Sequence, residues 1–263
     1  MVVKNEDRFI WFAITSVLPF VDELRICDTG STDQTVKIIS KIKDKKIKFS
    51  QNNVNTRAGI GKVRQLQLNQ SNSDWILLID GDEVYPDYLL SEITGILEKT
   101  GNRLEGIVVG RFDLLGDIYH YQDNSAGFYD LWGKKGHFAL RLINKKNIPG
   151  LHVEGIYPYE GYYDKKGKEI ISHCASKFYF TKGCLHHAMY LQRSSLNARL
   201  SDTFNRFKYK IEKGIRLTPQ NIPRVFYGAI PVGVPDVRAY RPVCYELVAE
   251  ILTPIKKLKR RFY

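Results

Sequence analysis

The sequence predicts an α/β fold with a mostly parallel central sheet flanked by helices, and three observations carry that prediction. Short apolar runs alternate with helically periodic stretches over the first hundred residues, the order that builds βαβ units. The run Trp75-Ile-Leu-Leu-Ile79 is continuously apolar, as a strand buried on both faces must be. Acid-rich turns follow two of the runs directly, at Asp28-Thr-Gly-Ser-Thr-Asp33 and Asp80-Gly-Asp-Glu83. Open α/β sheets bind their ligands at such strand ends.

Each element has its own signal. Glu6 to Leu18 carries Ile10, Ile14 and Val17/Leu18 at helical spacing. Leu24–Cys27 reads as a strand, and Ser31 or Thr32 is placed to cap a helix running to about Ile42. Ile47–Phe49 is a third strand, Gly61 to Asn69 a helix, and Pro86 opens a further helix to about Lys99. Beyond Gly101, strands are expected at Gly106–Phe112, His137–Ile143 and Ser172–Phe180, with a Gly- and Tyr-rich loop over 116–136. A basic amphipathic helix is expected from Gln192 to Lys213. The five prolines of 218–242 imply an extended segment, and Tyr245–Tyr263 reads as a helix broken at Pro254.

The 43% hydrophobic content is that of a globular chain, and a net charge of +12 implies an anionic partner. Cys27, Cys174, Cys184 and Cys244 show no metal or disulfide spacing and are expected as reduced thiols of a cytoplasmic protein. Phe9–Val21, the most apolar early segment, is short for a bilayer span and contains Thr, Ser and Pro. Any membrane contact is therefore expected to be peripheral, on the inner face of the plasma membrane.

The two acidic turns carry the chemistry. A carboxylate at Asp28 can accept hydrogen bonds from a nucleobase or ribose; Asp28 and Asp33 read equally as turn and cap residues. In Asp80-Gly-Asp82 two carboxylates aim at one point, as a divalent cation with free positions for phosphate oxygens requires. A solvated turn is the plainer alternative.

Taken together, Val2-Val-Lys-Asn-Glu6, Ser16-Val-Leu-Pro-Phe-Val-Asp-Glu23, Asp28-Thr-Gly-Ser-Thr-Asp33 and Asp74-Trp-Ile-Leu-Leu-Ile-Asp-Gly-Asp-Glu83 resemble glycosyltransferase family 2 and its GT-A fold. The resemblance implies an inverting transfer of a sugar from a UDP- or GDP-linked donor to a hydroxyl of a glycan or lipid-linked acceptor in cell-envelope synthesis, with Mn²⁺ or Mg²⁺. It implies a nucleotide-sugar-binding half over 1–100, an acceptor-binding half over 101–190 and an extension over 191–263. Glu6, Asp28, Asp33, Arg64 and Asp80 would hold the donor, and Asp82 would be the main metal ligand with Asp80. In Leu185-His-His-Ala-Met-Tyr190, His187 fits the family's late metal or diphosphate contact best, with His186 second. Inversion needs a carboxylate base on the opposite face from the leaving diphosphate, for which Glu154, in Gly150-Leu-His-Val-Glu-Gly155, and Glu160 are the candidates; Asp123 and Asp130 stay open. The first strand departs from the family pattern. Only Met1-Val-Val3 precede Lys4, so either that strand is short or the start lies upstream.

Lys182, Arg193 and Arg199 read as phosphate contacts or as solvated charges. Tyr119, Tyr121, Phe128, Tyr129 and Trp132 read as sugar-stacking surface or as core. The run Lys41-Ile-Lys-Asp-Lys-Lys-Ile-Lys48 raises a second reading, a nucleic-acid-binding protein, but no nucleic-acid motif accompanies it, and no nucleic-acid partner is expected. Lys256, Lys257, Lys259, Arg260 and Arg261 suggest contact with an anionic membrane or simply a solvated tail.

Overall fold

A computed structural model describes residues 1–54, 56–127, 129–196 and 210–261. Among the described residues fourteen strands and five α-helices follow in chain order. The first half is β1 (Val2–Val3), α1 (Ile10–Val17), β2 (Leu24–Asp28), α2 (Thr35–Ile39), β3 (Ile47–Gln51), α3 (Arg57–Gln70), β4 (Trp75–Leu77), β5 (Glu83–Val84) and α4 (Asp87–Thr100). The second half is β6 (Gly106–Asp113), β7 (His120–Tyr121), β8 (Tyr129–Leu131), β9 (Lys134–Gly136), β10 (Phe138–Asn144), β11 (His152–Glu154), β12 (Gly161–Tyr163), β13 (Phe178–His187), β14 (Ile215–Arg216) and α5 (Val243–Arg261).

The α/β architecture is the expected one, in two connected parts. Strands β1, β2 and β3 form a parallel sheet. A second, mixed sheet has the order β4-β10-β6-β13-β5, with β6 and β13 parallel and the other pairs antiparallel. A parallel bridge between Val2 and Asp80 joins the two parts, so the ends of β1, β2 and β4 lie side by side.

Helices α1 and α4 bury one face each on this sheet. Ile10, Ile14 and Val17 from α1 and Leu89, Leu90 and Ile93 from α4 meet Ile26, Ile79, Ile107 and Leu185 in one core cluster. Burying a side chain of this size contributes about 1.5–3 kcal/mol. The Pro-rich segment closes a second cluster over the far face of α1, where Phe226 meets Phe12 with ring centroids 5.0 Å apart.

Three expectations need correction. Helix α3 starts at Arg57 rather than Gly61 because Thr56 caps it, its hydroxyl accepting from Gly59 N at 3.2 Å. The strand expected over 172–180 starts only at Phe178, since Ile170–Ser172 and Ala175–Lys177 form short 3₁₀ turns. The last helix continues through Pro254. Of the helix expected over 192–213, residues 197–209 lie outside the described residues; 192–196 and 210–213 are not helical.

Candidate active site

The acidic turn after β4 is held by arginines rather than left in water. Arg141, from β10, reaches Asp80 Oδ2 at 3.0 Å and pairs with Glu83. Arg64, from α3, stands 3.4 Å from Asp80 Oδ1. Burial alone would raise the Asp80 carboxyl, but Arg141 and Arg64 outweigh it and hold it well below the usual carboxylate range. Glu83 is fully buried and accepts from Asp80 N at 3.3 Å, so it braces the turn from inside. Gly81 leaves room for this: a Cβ there would lie 2.8 Å from Glu6 Cγ, so the turn presses directly on the first loop.

Asp82 meets residues brought from the far end of the domain. His187, the last residue of β13, places Nε2 3.6 Å from Asp82 Oδ2. Its Nδ1 lies 3.0 Å from Asp113, at the end of the neighbouring β6. Burial would depress the His187 imidazole; Asp82 and Asp113 reverse this and raise it. Asp113 also pairs with His137 at 2.9 Å and Arg111 at 3.3 Å. These partners overcome its burial and hold it far down. Arg193 bridges Glu6 at 2.9 Å and Asp82 at 3.4 Å. Glu6 Oε2 is buried without a hydrogen-bond partner; burial pushes this carboxyl well up against the pull of Arg193.

These groups enclose a cavity of about 200 Å³, lined among others by Glu6, Thr29, Arg64, Asp80, Asp82, His187 and Arg193. The cavity crosses the boundary expected at 190, because Ser194 and Ser195 are tied back to Asp33 and Asp7.

The remaining expected site residues are placed as follows. Asp28 is fully buried and folds onto its own turn, accepting from Gly30 N at 3.1 Å and Ser31 N at 3.0 Å; Thr29, not Asp28, lines the cavity. Gly30 takes φ +104°, which a side chain would strain. Asp33 accepts from Thr35 N at 2.9 Å and Ser194 Oγ at 2.6 Å, an organising role. Glu160 pairs with Arg64 at 3.1 Å. Glu154 is exposed on the β11–β12 hairpin, 2.7 Å from His152 Nε2.

His186 is a correction. Strand alternation turns it away from Asp82, onto the Asn221 carbonyl at 2.8 Å and against the Phe112 edge. Burial pushes its imidazole down to about 4. The loop aromatics also pack rather than line the cavity: Trp132 stacks on Phe178 and Tyr119 on Tyr240. Tyr121 meets Phe112, and half-exposed Tyr129 lies under the Arg111 guanidinium. Lys182 is exposed; Arg199 and Phe128 lie outside the described residues. The sequence reading missed Arg141 and Asp113 as site residues and left Arg193 undecided.

A carboxylate oxygen and an imidazole nitrogen converging at 3.6 Å, with the imidazole's other nitrogen fixed by a second carboxylate, form a donor set that suits a divalent cation. Among the described residues no three acids, histidines or cysteines cluster to hold an ion.

Residues 1–155 match the model of glycosyl transferase family 2. An uncharacterized glycosyltransferase of Rickettsia typhi is 35% identical over 189 residues, covering 71% of this chain and 58% of the relative. One from Rickettsia felis is 32% identical over 148 residues, covering 56% and 47%. The chain thus spans about half the length of the curated relatives it matches. Among solved structures, S. aureus TarS 1-349 is similar at 20% identity and TM-score 0.41, covering 55% of this chain and 45% of that one. Glucosyl-3-phosphoglycerate synthase from Mycobacterium tuberculosis, in complex with Mn²⁺ and uridine-diphosphate-glucose, is similar at 27% identity and TM-score 0.32, covering 43% and 42%. With more than half of its length matched by the family model and the acidic turns gathered at one sheet edge, the chain belongs to glycosyl transferase family 2, a family of GT-A-fold glycosyltransferases.

Proposed function

We propose that this glycosyltransferase moves a sugar from a nucleotide-diphosphate donor to an acceptor hydroxyl with inversion, with a divalent cation at Asp82 and His187. The carrying observation is the cavity itself, where Asp82 and His187 converge between Arg64 and Arg193. A diphosphate presents oxygens that suit both a cation and guanidiniums. When bound, the cation offsets the charge that grows on the leaving diphosphate. Asp113 orients His187, and Arg141 keeps Asp80 ionised at the cavity wall. Arg193 lines the same cavity and would meet a phosphate oxygen bound there. The UDP-glucose of the mycobacterial synthase is the donor class this reading takes as its first test.

The base is assigned to Glu154. It is exposed, 2.7 Å from His152 Nε2, whereas Glu160 is shielded against Arg64. Both lie on the hairpin that packs against α3. A glycan or lipid-linked hydroxyl reaching Glu154 would lose its proton there as it attacks the anomeric carbon.

The test is hydrolysis and transfer from a panel of UDP- and GDP-sugars with Mn²⁺ or Mg²⁺, comparing the native chain with Asp82→Ala. Loss of metal-dependent turnover by a factor of roughly 100 or more supports the reading; equal activity in both refutes the cation assignment. Glu154→Gln is expected to abolish transfer while sparing donor binding. If Glu160→Gln does so instead, the base is reassigned.

A further inference from the structure

Helix α5 is mounted with its polar side inward. Lys256 Nζ donates to the Ile211 carbonyl at 3.1 Å, Thr253 Oγ1 accepts from Lys213 N at 2.8 Å, and Arg260 pairs with Glu212. Tyr245 and Ala249 complete the inner face and are buried. The opposite side carries Val243, Leu247, Ile251, Ile255 and Leu258, which are 75, 64, 68, 60 and 55% exposed. Steps of three and four residues place all five on one stripe, since a helix turns every 3.6 residues. A soluble helix ordinarily shows the reverse arrangement.

The stripe is flanked by cations. At 100° per residue, exposed Lys257 falls on one margin and exposed Lys259 on the other. Both acids along the described helix are paired with cations, Glu246 with Arg241 at 2.7 Å and Glu250 with Lys213 at 2.5 Å. The whole chain carries a net charge of +12. An apolar strip with lysines on both margins matches a layer that is apolar within and anionic at its rim. No helix among the described residues is long and apolar enough to cross a membrane.

We propose that the outward face of α5 docks on an anionic lipid surface and lies in its interface. Leu247, Ile251 and Ile255 would enter the acyl boundary while Lys257 and Lys259 contact headgroup phosphates. The helix stays fixed to the body through its inner polar contacts. This inference goes beyond the transfer chemistry and is independent of it.

The test is co-sedimentation of the full chain with vesicles of phosphatidylcholine alone and of phosphatidylcholine mixed with phosphatidylglycerol. Binding is expected on the mixed vesicles and should weaken as salt is raised. Leu247→Ser/Ile251→Ser/Ile255→Ser should lower the partition coefficient roughly a hundredfold, and Lys257→Glu/Lys259→Glu roughly tenfold or more. Leu247, Ile251 and Ile255 are exposed, so the triple variant should keep the native melting curve. Absence of native binding to the mixed vesicles overturns the proposal, as does equal binding by the triple variant. Sedimentation equilibrium provides a further arm: a dimer that the triple variant dissolves would assign the face to a second copy of the chain and overturn the lipid assignment.

Discussion

Arg141 stands between two carboxylates, and its removal is more informative than removal of either acid. It pairs with Asp80 and with fully buried Glu83. Arg141→Met would leave Glu83 in the interior without its cationic partner, costing about 3–5 kcal/mol in urea unfolding. Adding Glu83→Gln to the same chain should recover part of that loss, because the unpartnered carboxyl is then gone. Additive losses in the double variant would show that the two side chains are not coupled. The thiols give a second residue-scale expectation. Cys174 and Cys244 are exposed, and Ser176 lowers the Cys174 thiol. Burial raises Cys27 and pushes Cys184 up to about 11. At neutral pH an aromatic disulfide reagent should therefore titrate two thiols at once and the other two only on unfolding.

At the scale of elements, the register of β13 against β6 decides where His187 lands. Phe180 pairs with Val108, yet Cys184 pairs with Gly110, so four residues of β13 span two of β6. That irregularity brings His187 opposite Asp113; an unbroken ladder would put Leu185 there. Glu92, from α4, holds it, accepting from Lys182 N at 2.8 Å and Gly183 N at 2.9 Å. Glu92→Ala would orphan two backbone donors, for an expected loss of about 2–3 kcal/mol, with faster hydrogen exchange at Lys182 and Gly183. Unchanged exchange there would mean that β6 alone sets the register. Close approach matters equally at the acidic turn, where Gly81→Ala places a Cβ 2.8 Å from Glu6 Cγ. It should cost about 1–3 kcal/mol and weaken donor binding, read by unfolding and by nucleotide titration.

At the scale of the whole molecule, donor binding should appear as thermal stabilisation. UDP-sugar with Mn²⁺ at a hundredfold excess over Kd contributes about 2.7 kcal/mol, a rise of roughly 5–10 °C for a chain of this size. Asp82→Asn should erase the metal-dependent part of that rise. The sequence made half of this site legible, for a physical reason. Asp80 and Asp82 end an apolar strand, and strand ends are readable because burial imposes a pattern on the residues before them. Arg193 and Glu6 meet across 187 positions, and no local periodicity encodes such a meeting. Asp113 ends an apolar strand too, and the signal that marked Asp80 applied to it equally. His186 and His187 share a composition and lie on opposite sides of β13 by alternation; which of its residues reaches Asp113 is a matter of register that no local pattern encodes.

The distance along the chain between Asp82 and His187 bears on how the enzyme is made. Roughly 5–20 residues leave a ribosome each second, and about a hundred residues separate the two donors. For on the order of 5–20 s the acidic turn has emerged while the imidazole and Arg193 have not. During that interval Asp82 has neither Arg193 nor His187 beside it, and the cavity they line does not yet exist. The wall of this cavity is therefore completed only once β13 lies beside β6.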